Sequence, residues 1–109
     1  MQEMQTLGLL GLGEAAASIA GGLNGLRTNR PEKILAWKRP PVDGGTTDRA
    51  EHAGVLLRED IADVAGASDV VFSLVAPTAS VEVARLAAAY CSDKFYVDLN
   101  ATALRAMEE

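Results

Sequence analysis

Six residues carry the strongest chemical signal in this chain: Gly11-Leu12-Gly13-Glu14-Ala15-Ala16. They follow a short apolar run, stand at the start of a helical pattern, and read as G-x-G-x-x-A. That turn seats a dinucleotide pyrophosphate on a helix N-terminus. Gly11 takes the tight turn, Gly13 lets the backbone approach phosphate because it has no Cβ, and Ala16 lets the helix pack close to the strand. The N–H groups of the first helical turn and the positive end of the helix dipole then face the anion. The same spacing also fits a glycine-rich turn with no ligand, so its meaning depends on the surrounding frame.

A second group of residues bears on which dinucleotide is held. An acidic residue at the end of the second strand hydrogen-bonds the ribose hydroxyls of NAD, whereas a basic residue there accommodates the 2′-phosphate of NADP. The chain reads Ile34-Leu35-Ala36-Trp37-Lys38-Arg39-Pro40, with no acid at that point. Arg39 offers a planar fork to phosphate and Lys38 adds a point charge, which favours NADP over NAD. The pair also fits a plain solvated strand end. The nearest acid, Asp43, lies beyond Pro40 and Pro41.

Two later stretches complete the candidate constellation. Val75-Ala76-Pro77-Thr78 follows a strongly apolar run, and small apolar residues there can pack against ribose or nicotinamide. They equally describe a strand ended by proline. Asp98-Leu99-Asn100-Ala101-Thr102 follows the last apolar run. Asn100 has both a donor and an acceptor for nicotinamide or substrate, and equally suits an Asx turn. The dipole favours Glu14 in the first helical turn, but its charge would repel phosphate if it pointed inward. The lone His52 lies in a polar segment and reads as a surface residue, so no Ser/His/Asp arrangement can be built. Cys91, after an apolar helix, reads as inert. No catalytic residue and no metal-ligand cluster is expected.

These residues need a frame of alternating strands and helices. Thr6–Leu10 suits a buried parallel strand, and a helix should follow from about Glu14 to Gly25, with Ile19, Gly22, Leu23 and Leu26 on one face. Ile34–Trp37 is the second strand. Pro40, Pro41, Gly44 and Gly45 then forbid regular structure. A short helix is expected over Thr47–His52, capped by Thr46 or Thr47. A brief strand at Val55–Leu57 and helical turns at Glu59–Ala65 precede the fourth strand, Val70–Val75. Thr78 or Ser80 can cap a helix to about Tyr90 with Val83, Leu86, Ala87 and Tyr90 on one face. Phe95–Val97 is the fifth strand, and Thr102–Glu109 looks like the start of another helix. The alternation implies an α/β fold: a Rossmann-like, doubly wound parallel sheet of about five strands, order 3-2-1-4-5, with helices on both faces.

Composition narrows the classes. A chain of 109 residues makes one domain, 1–109, with a modest core. A net charge of −5 argues against nucleic acid as a partner. One cysteine excludes an internal disulfide. No apolar stretch reaches the roughly 18–20 residues that span a bilayer, and the N-terminus lacks the basic segment of a signal peptide. A cytoplasmic protein with no membrane partner is the expectation.

Taken together, Gly8 to Ala16, Trp37-Lys38-Arg39, Asp69 to Pro77 and Val97-Asp98-Leu99-Asn100 resemble the β-hydroxyacid dehydrogenase superfamily. More narrowly they resemble the NAD(P)-binding domain of 6-phosphogluconate and 3-hydroxyisobutyrate dehydrogenases. The resemblance implies an oxidoreductase that transfers a hydride between NADP(H) and a β-hydroxyacid or its keto form. It implies that Gly11, Leu12, Gly13, Glu14 and Ala15 contact pyrophosphate and that Lys38 and Arg39 meet the 2′-phosphate. Val75, Ala76 and Pro77 would lie on the ribose and nicotinamide side. Asn100, Ala101 and Thr102 correspond to the substrate stretch, with Asn100 also touching cofactor. The family's serine is missing from Asn100-Ala101-Thr102-Ala103-Leu104, which leaves the substrate open.

The resemblance also implies a helical C-terminal domain that carries the catalytic lysine, binds substrate and makes a homo-oligomer. That domain and at least a sixth strand are absent from this sequence. The expectation is therefore an N-terminal fragment that holds cofactor but does not turn over alone, with its fifth strand left as an uncovered edge. A non-catalytic NADP-binding or regulatory module and an imine-reductase-type cofactor domain are the alternatives.

Overall fold

The computed structural model describes residues 5–28, 30–75, 77–91 and 94–99. Its strands are β1 (Thr6–Leu10), β2 (Lys33–Trp37), β3 (Leu56–Leu57), β4 (Val70–Ser73) and β5 (Phe95–Asp98). Its helices are α1 (Glu14–Asn24), α2 (Gly44–Ala53), α3 (Ile61–Ala67) and α4 (Ser80–Ala88), and a 3-10 turn at Pro77–Ala79 precedes α4. All strand pairs are parallel, in the order β3-β2-β1-β4-β5. This is the Rossmann-like architecture that the sequence pattern implies.

β1 is the central strand, and its residues are apolar because both faces are covered. Leu7 and Leu9 join Ala16 and Ala20 of α1 and Ala50 and Ala53 of α2 in one core. Leu10 joins Leu35, Trp37 and Val71 with α3 and α4 in the other. Alternation along the strand thus feeds two layers of helices. The helices approach closely because their inward residues are small. α3 lies so near the sheet that a Cβ on Gly8 would stand within 2.8 Å of Val64.

Several details differ from the sequence expectations, among them β4, which ends at Ser73 in place of Val75, and α3, which spans Ile61–Ala67 in place of Glu59–Ala65. α2 starts at Gly44 and takes in both glycines, and its cap is Asp43 in place of Thr46 or Thr47. Asp43 accepts from the Thr46 N–H at 2.9 Å and from the Thr46 hydroxyl at 3.1 Å. In the first helical turn the N–H groups of Gly44 and Gly45 have no helical partner in any case, so a strong cap outweighs poor propensity. α1 buries Ala16 and Ala20, whereas Gly22 and Leu26 are exposed. α4 begins after the 3-10 turn, and its N-cap residue is Ala79 in place of Thr78 or Ser80. It buries Val83 and Ala87 but exposes Leu86 and Tyr90, which line an open groove with Trp37, Pro40 and Ile61. Phe95 is 75% exposed and Val97 also faces outward, so the β5 edge is bare on one face.

The two ends of the sheet have different work. At the N-terminal end, the Asp69 carboxylate accepts from the Gln5 and Thr6 N–H groups and ties β4 to β1. At the C-terminal end the chain turns sharply at Gly11, after Trp37 and after Ser73. No helix among the described residues is long and apolar enough to cross a membrane.

Candidate functional site

The strand order reverses between β1 and β4, because β2 leaves β1 on one side and β4 returns on the other. The C-terminal crevice at such a switch point is where ligands lie in open α/β sheets. A cavity of about 300 Å³ opens there. Gly11 forms one wall, Trp37, Lys38 and Arg39 come from the end of β2, and Val75, Ala79 and Val83 supply an apolar floor. An apolar floor with a basic rim suits a base with an attached phosphate.

The glycine turn has the required geometry. Gly11 has φ +110°, and a Cβ there would stand 2.5 Å from the Leu74 carbonyl oxygen. Its N–H donates to the Trp37 carbonyl at 2.6 Å, which extends the β1–β2 ladder by one residue. Leu12 buries its side chain in the core beside Leu7 and Leu9, so only its backbone belongs to the site. Gly13 is the N-cap of α1 and provides no side-chain cap for it. The Gly13 carbonyl accepts from Ala17, the first i to i+4 bond of the helix, which leaves the preceding N–H groups without helical acceptors. A Cβ on Gly13 would meet no protein atom within 4 Å. Protein packing therefore does not require a glycine there, and the space is open to a ligand. The turn thus fits a pyrophosphate, with Glu14 and Ala15 exposed at the helix start.

The basic pair is held by contacts of its own. Arg39 Nη2 lies 3.2 Å from the Glu82 carboxylate on α4. Lys38 Nζ donates to the Arg39 and Pro41 carbonyls, both at 3.3 Å, and so curls around the cis Pro40-Pro41 bend. Asp43, the nearest acid in sequence, is committed elsewhere. The Thr46 backbone and side-chain hydrogen bonds, aided by Lys38, hold its carboxyl below the usual carboxylate range. An acid occupied in capping a helix does not serve as a ribose acceptor.

The structure therefore brings Gly11, Lys38, Arg39 and Val75 to one crevice, and Gly13 stands two residues beyond Gly11 as the N-cap of α1. Pro77 lies in the 3-10 turn that follows it. Ala76, Asn100, Ala101 and Thr102 lie outside the described residues. Leu99 donates its N–H to the Ser73 carbonyl at 2.9 Å, so the chain leaves β5 at the same edge of the sheet. His52 is exposed on α2, away from the crevice. Burial pushes the half-buried Cys91 thiol up, partly offset by the Lys94 charge. No group of three His, Cys, Asp or Glu among the described residues could hold a metal ion.

One residue escaped the sequence reading. Arg49 of α2 donates from Nη1 to the Leu12 carbonyl at 3.1 Å, reaching into the glycine turn from 37 residues away. Nothing in its spacing signals this, because the contact of α2 with the turn is purely tertiary.

Comparison with known families matches residues 6–102 to NADP oxidoreductases, coenzyme F420-dependent. Among curated proteins none matches the chain. Among solved structures, a conserved hypothetical protein from Sinorhizobium meliloti 1021 shares 38% identity at a TM-score of 0.76, covering 91% of this chain and 33% of that one. Plasmodium falciparum pyrroline carboxylate reductase with NADP bound shares 19% identity at a TM-score of 0.69, over 92% of this chain and 34% of that one. Mycobacterium tuberculosis 3-hydroxyisobutyrate dehydrogenase shares 19% identity at a TM-score of 0.71, over 95% and 36%. The last two similarities describe the fold alone. The chain spans about a third of the length of each of these structures.

Proposed function

Because the chain belongs to the family of NADP oxidoreductases described as coenzyme F420-dependent, we propose that it is the NADP-holding part of a longer oxidoreductase. The observation that carries this reading is the crevice at the β1–β4 switch point, with a glycine turn on one side and the Arg39 guanidinium on its rim. The first turn of α1 receives the pyrophosphate, through backbone N–H groups and the helix dipole. Trp37, Ala79 and Val83 enclose the adenosine. Arg39 and Lys38 take the 2′-phosphate, Arg39 by its planar fork. Val75, Ala76, Pro77 and Asn100 border the nicotinamide side.

Bound NADP supplies the hydride acceptor or donor, and the chain binds and orients it. No side chain in the described crevice is placed to donate or accept the proton that accompanies hydride transfer to a carbonyl. The proton-transfer groups and the rest of the substrate site belong to a further domain, helical and dimer-forming in this reading, and the exposed Phe95 and Val97 offer it an apolar seat. The substrate is a β-hydroxyacid or its keto form, as the Gly13-Glu14-Ala15-Ala16 and Asp98-Leu99-Asn100 stretches suggest, with Asn100, Ala101 and Thr102 touching it. The family description favours a second reading, in which the hydride partner is coenzyme F420.

A fluorescence titration of the chain with NADPH and with NADH tests the cofactor reading. NADPH should bind at least about tenfold more tightly, the size of one charge-assisted contact. Equal affinities would overturn NADP preference, and no binding of either would overturn the proposal. In the longer protein, NADPH oxidation by a β-keto acid against oxidation by F420 separates the two substrate readings.

A further inference from the structure

We infer that Arg49 is a positioning residue for the pyrophosphate, acting through the Leu12 carbonyl it binds. The inference rests on the NADP reading above. A trans peptide is planar, with its C=O and N–H pointing in opposite directions. The Leu12 carbonyl is drawn toward α2 by Arg49 Nη1 at 3.1 Å. The Gly13 N–H is therefore turned away from α2.

Little else fixes that peptide. Gly13 has no side chain, and the space where its Cβ would stand is empty to 4 Å. It is the N-cap of α1 with an extended backbone, so its own N–H precedes the helical hydrogen bonds. On the other side the buried Leu12 side chain anchors the Cα position but leaves the following peptide plane free to rotate. A glycine that allows close approach of phosphate also allows its N–H to swing out of line. Arg49, half-buried between α1 and α2, supplies the restraint the glycine lacks. Its charge also sits behind a helix start that carries the Glu14 carboxylate.

The test separates the pyrophosphate grip from the adenosine grip and hydrogen bonding from charge. NADPH reports both grips; adenosine 2′-monophosphate reports only the second. Arg49→Met should weaken NADPH about tenfold, the size of one lost hydrogen bond to a charged group. It should leave adenosine 2′-monophosphate affinity unchanged and shift the Gly13 amide resonance. Arg49→Gln, a neutral donor, should recover most of the NADPH affinity. Unchanged NADPH affinity in Arg49→Met overturns the inference. So does equal loss of both ligands, which marks a general loss of structure, and so does Arg49→Gln binding as weakly as Arg49→Met, which leaves charge alone as the cause. If the unaltered chain binds neither ligand, the NADP reading fails and the inference falls with it.

Discussion

Arg39 Nη2 stands 3.2 Å from the Glu82 carboxylate, joining the end of β2 to α4 beside the cavity that Arg39 and Val83 line. The two side chains are 59% and 63% exposed, so water screens the pair. Such an ion pair is worth about 0–1 kcal/mol, whereas a hydrogen bond to a charged partner contributes about 1.5–3 kcal/mol. In the proposed NADP complex a 2′-phosphate would therefore take Arg39 from Glu82. Glu82 would hold the guanidinium over the crevice beforehand and compete mildly for it.

Glu82→Gln should raise NADPH affinity about two- to fivefold at low salt, with NADH unchanged, and the gain should fade at high salt. Isothermal titration at two ionic strengths measures it. A weaker NADPH complex would mean that Glu82 helps by holding Arg39 in place more than it hinders by competing.

Arg39→Ala should lower NADPH affinity by about 10- to 100-fold and leave NADH affinity nearly untouched. Parallel titrations decide the matter. Equal loss for the two cofactors would detach Arg39 from the 2′-phosphate.

The two glycines of the turn should fail in different ways. Gly11→Ala places a Cβ against the Leu74 carbonyl and forces a side chain onto positive φ. Strain of that kind costs about 1–3 kcal/mol before the clash is added. The thermal midpoint should drop on the order of 10 °C. Gly13→Val should cost little stability, since its side chain enters open space, yet NADPH affinity should fall more than about tenfold as the side chain meets the phosphate. Thermal melts and titrations on the two variants would expose a reversal of this pattern.

Asp43 should make α2 sensitive to acid. Its hydrogen bonds to Thr46 lower its folded pKa, so its contribution is complete above the unfolded value near 4 and is lost as pH falls through the lower folded value. Asp43→Ala should melt earlier than the parent at pH 7, and the gap should close below about pH 4. A gap independent of pH would deny the carboxylate its capping role.

Cys91 should be a slow nucleophile. Burial raises its thiol pKa, with Lys94 opposing only in part, so less thiolate is present at pH 7 than in free cysteine. Alkylation by iodoacetamide should lag behind free cysteine in the native chain and match it in guanidinium. Fast native labelling would contradict the stated burial.

The sequence made the frame legible where one residue type had one physical meaning. Thr6–Leu10 is apolar because both faces are covered, and its predicted bounds match the strand. The glycine turn and the Lys38-Arg39 pair converge on one crevice because strand order alone brings the ends of β1, β2 and β4 together. Legibility ended where tertiary contact decided. Gly44 and Gly45 read as breakers until Asp43 caps them. Leu86 and Tyr90 read as core, but they face an open groove beside Pro40 and Ile61. Arg49 has no local signal, since its partner Leu12 is brought to it only by the packing of α2 against α1.

Gly11 touches all three strands that build the crevice: it ends β1, donates to Trp37 at the end of β2, and lies against Leu74 just past β4. It serves as a keystone that ties the start of the loop to the sheet. Binding to such a preorganised site loses little conformational entropy. The encounter should accordingly follow a single kinetic phase whose rate rises linearly with cofactor concentration, without the plateau of a slow isomerisation.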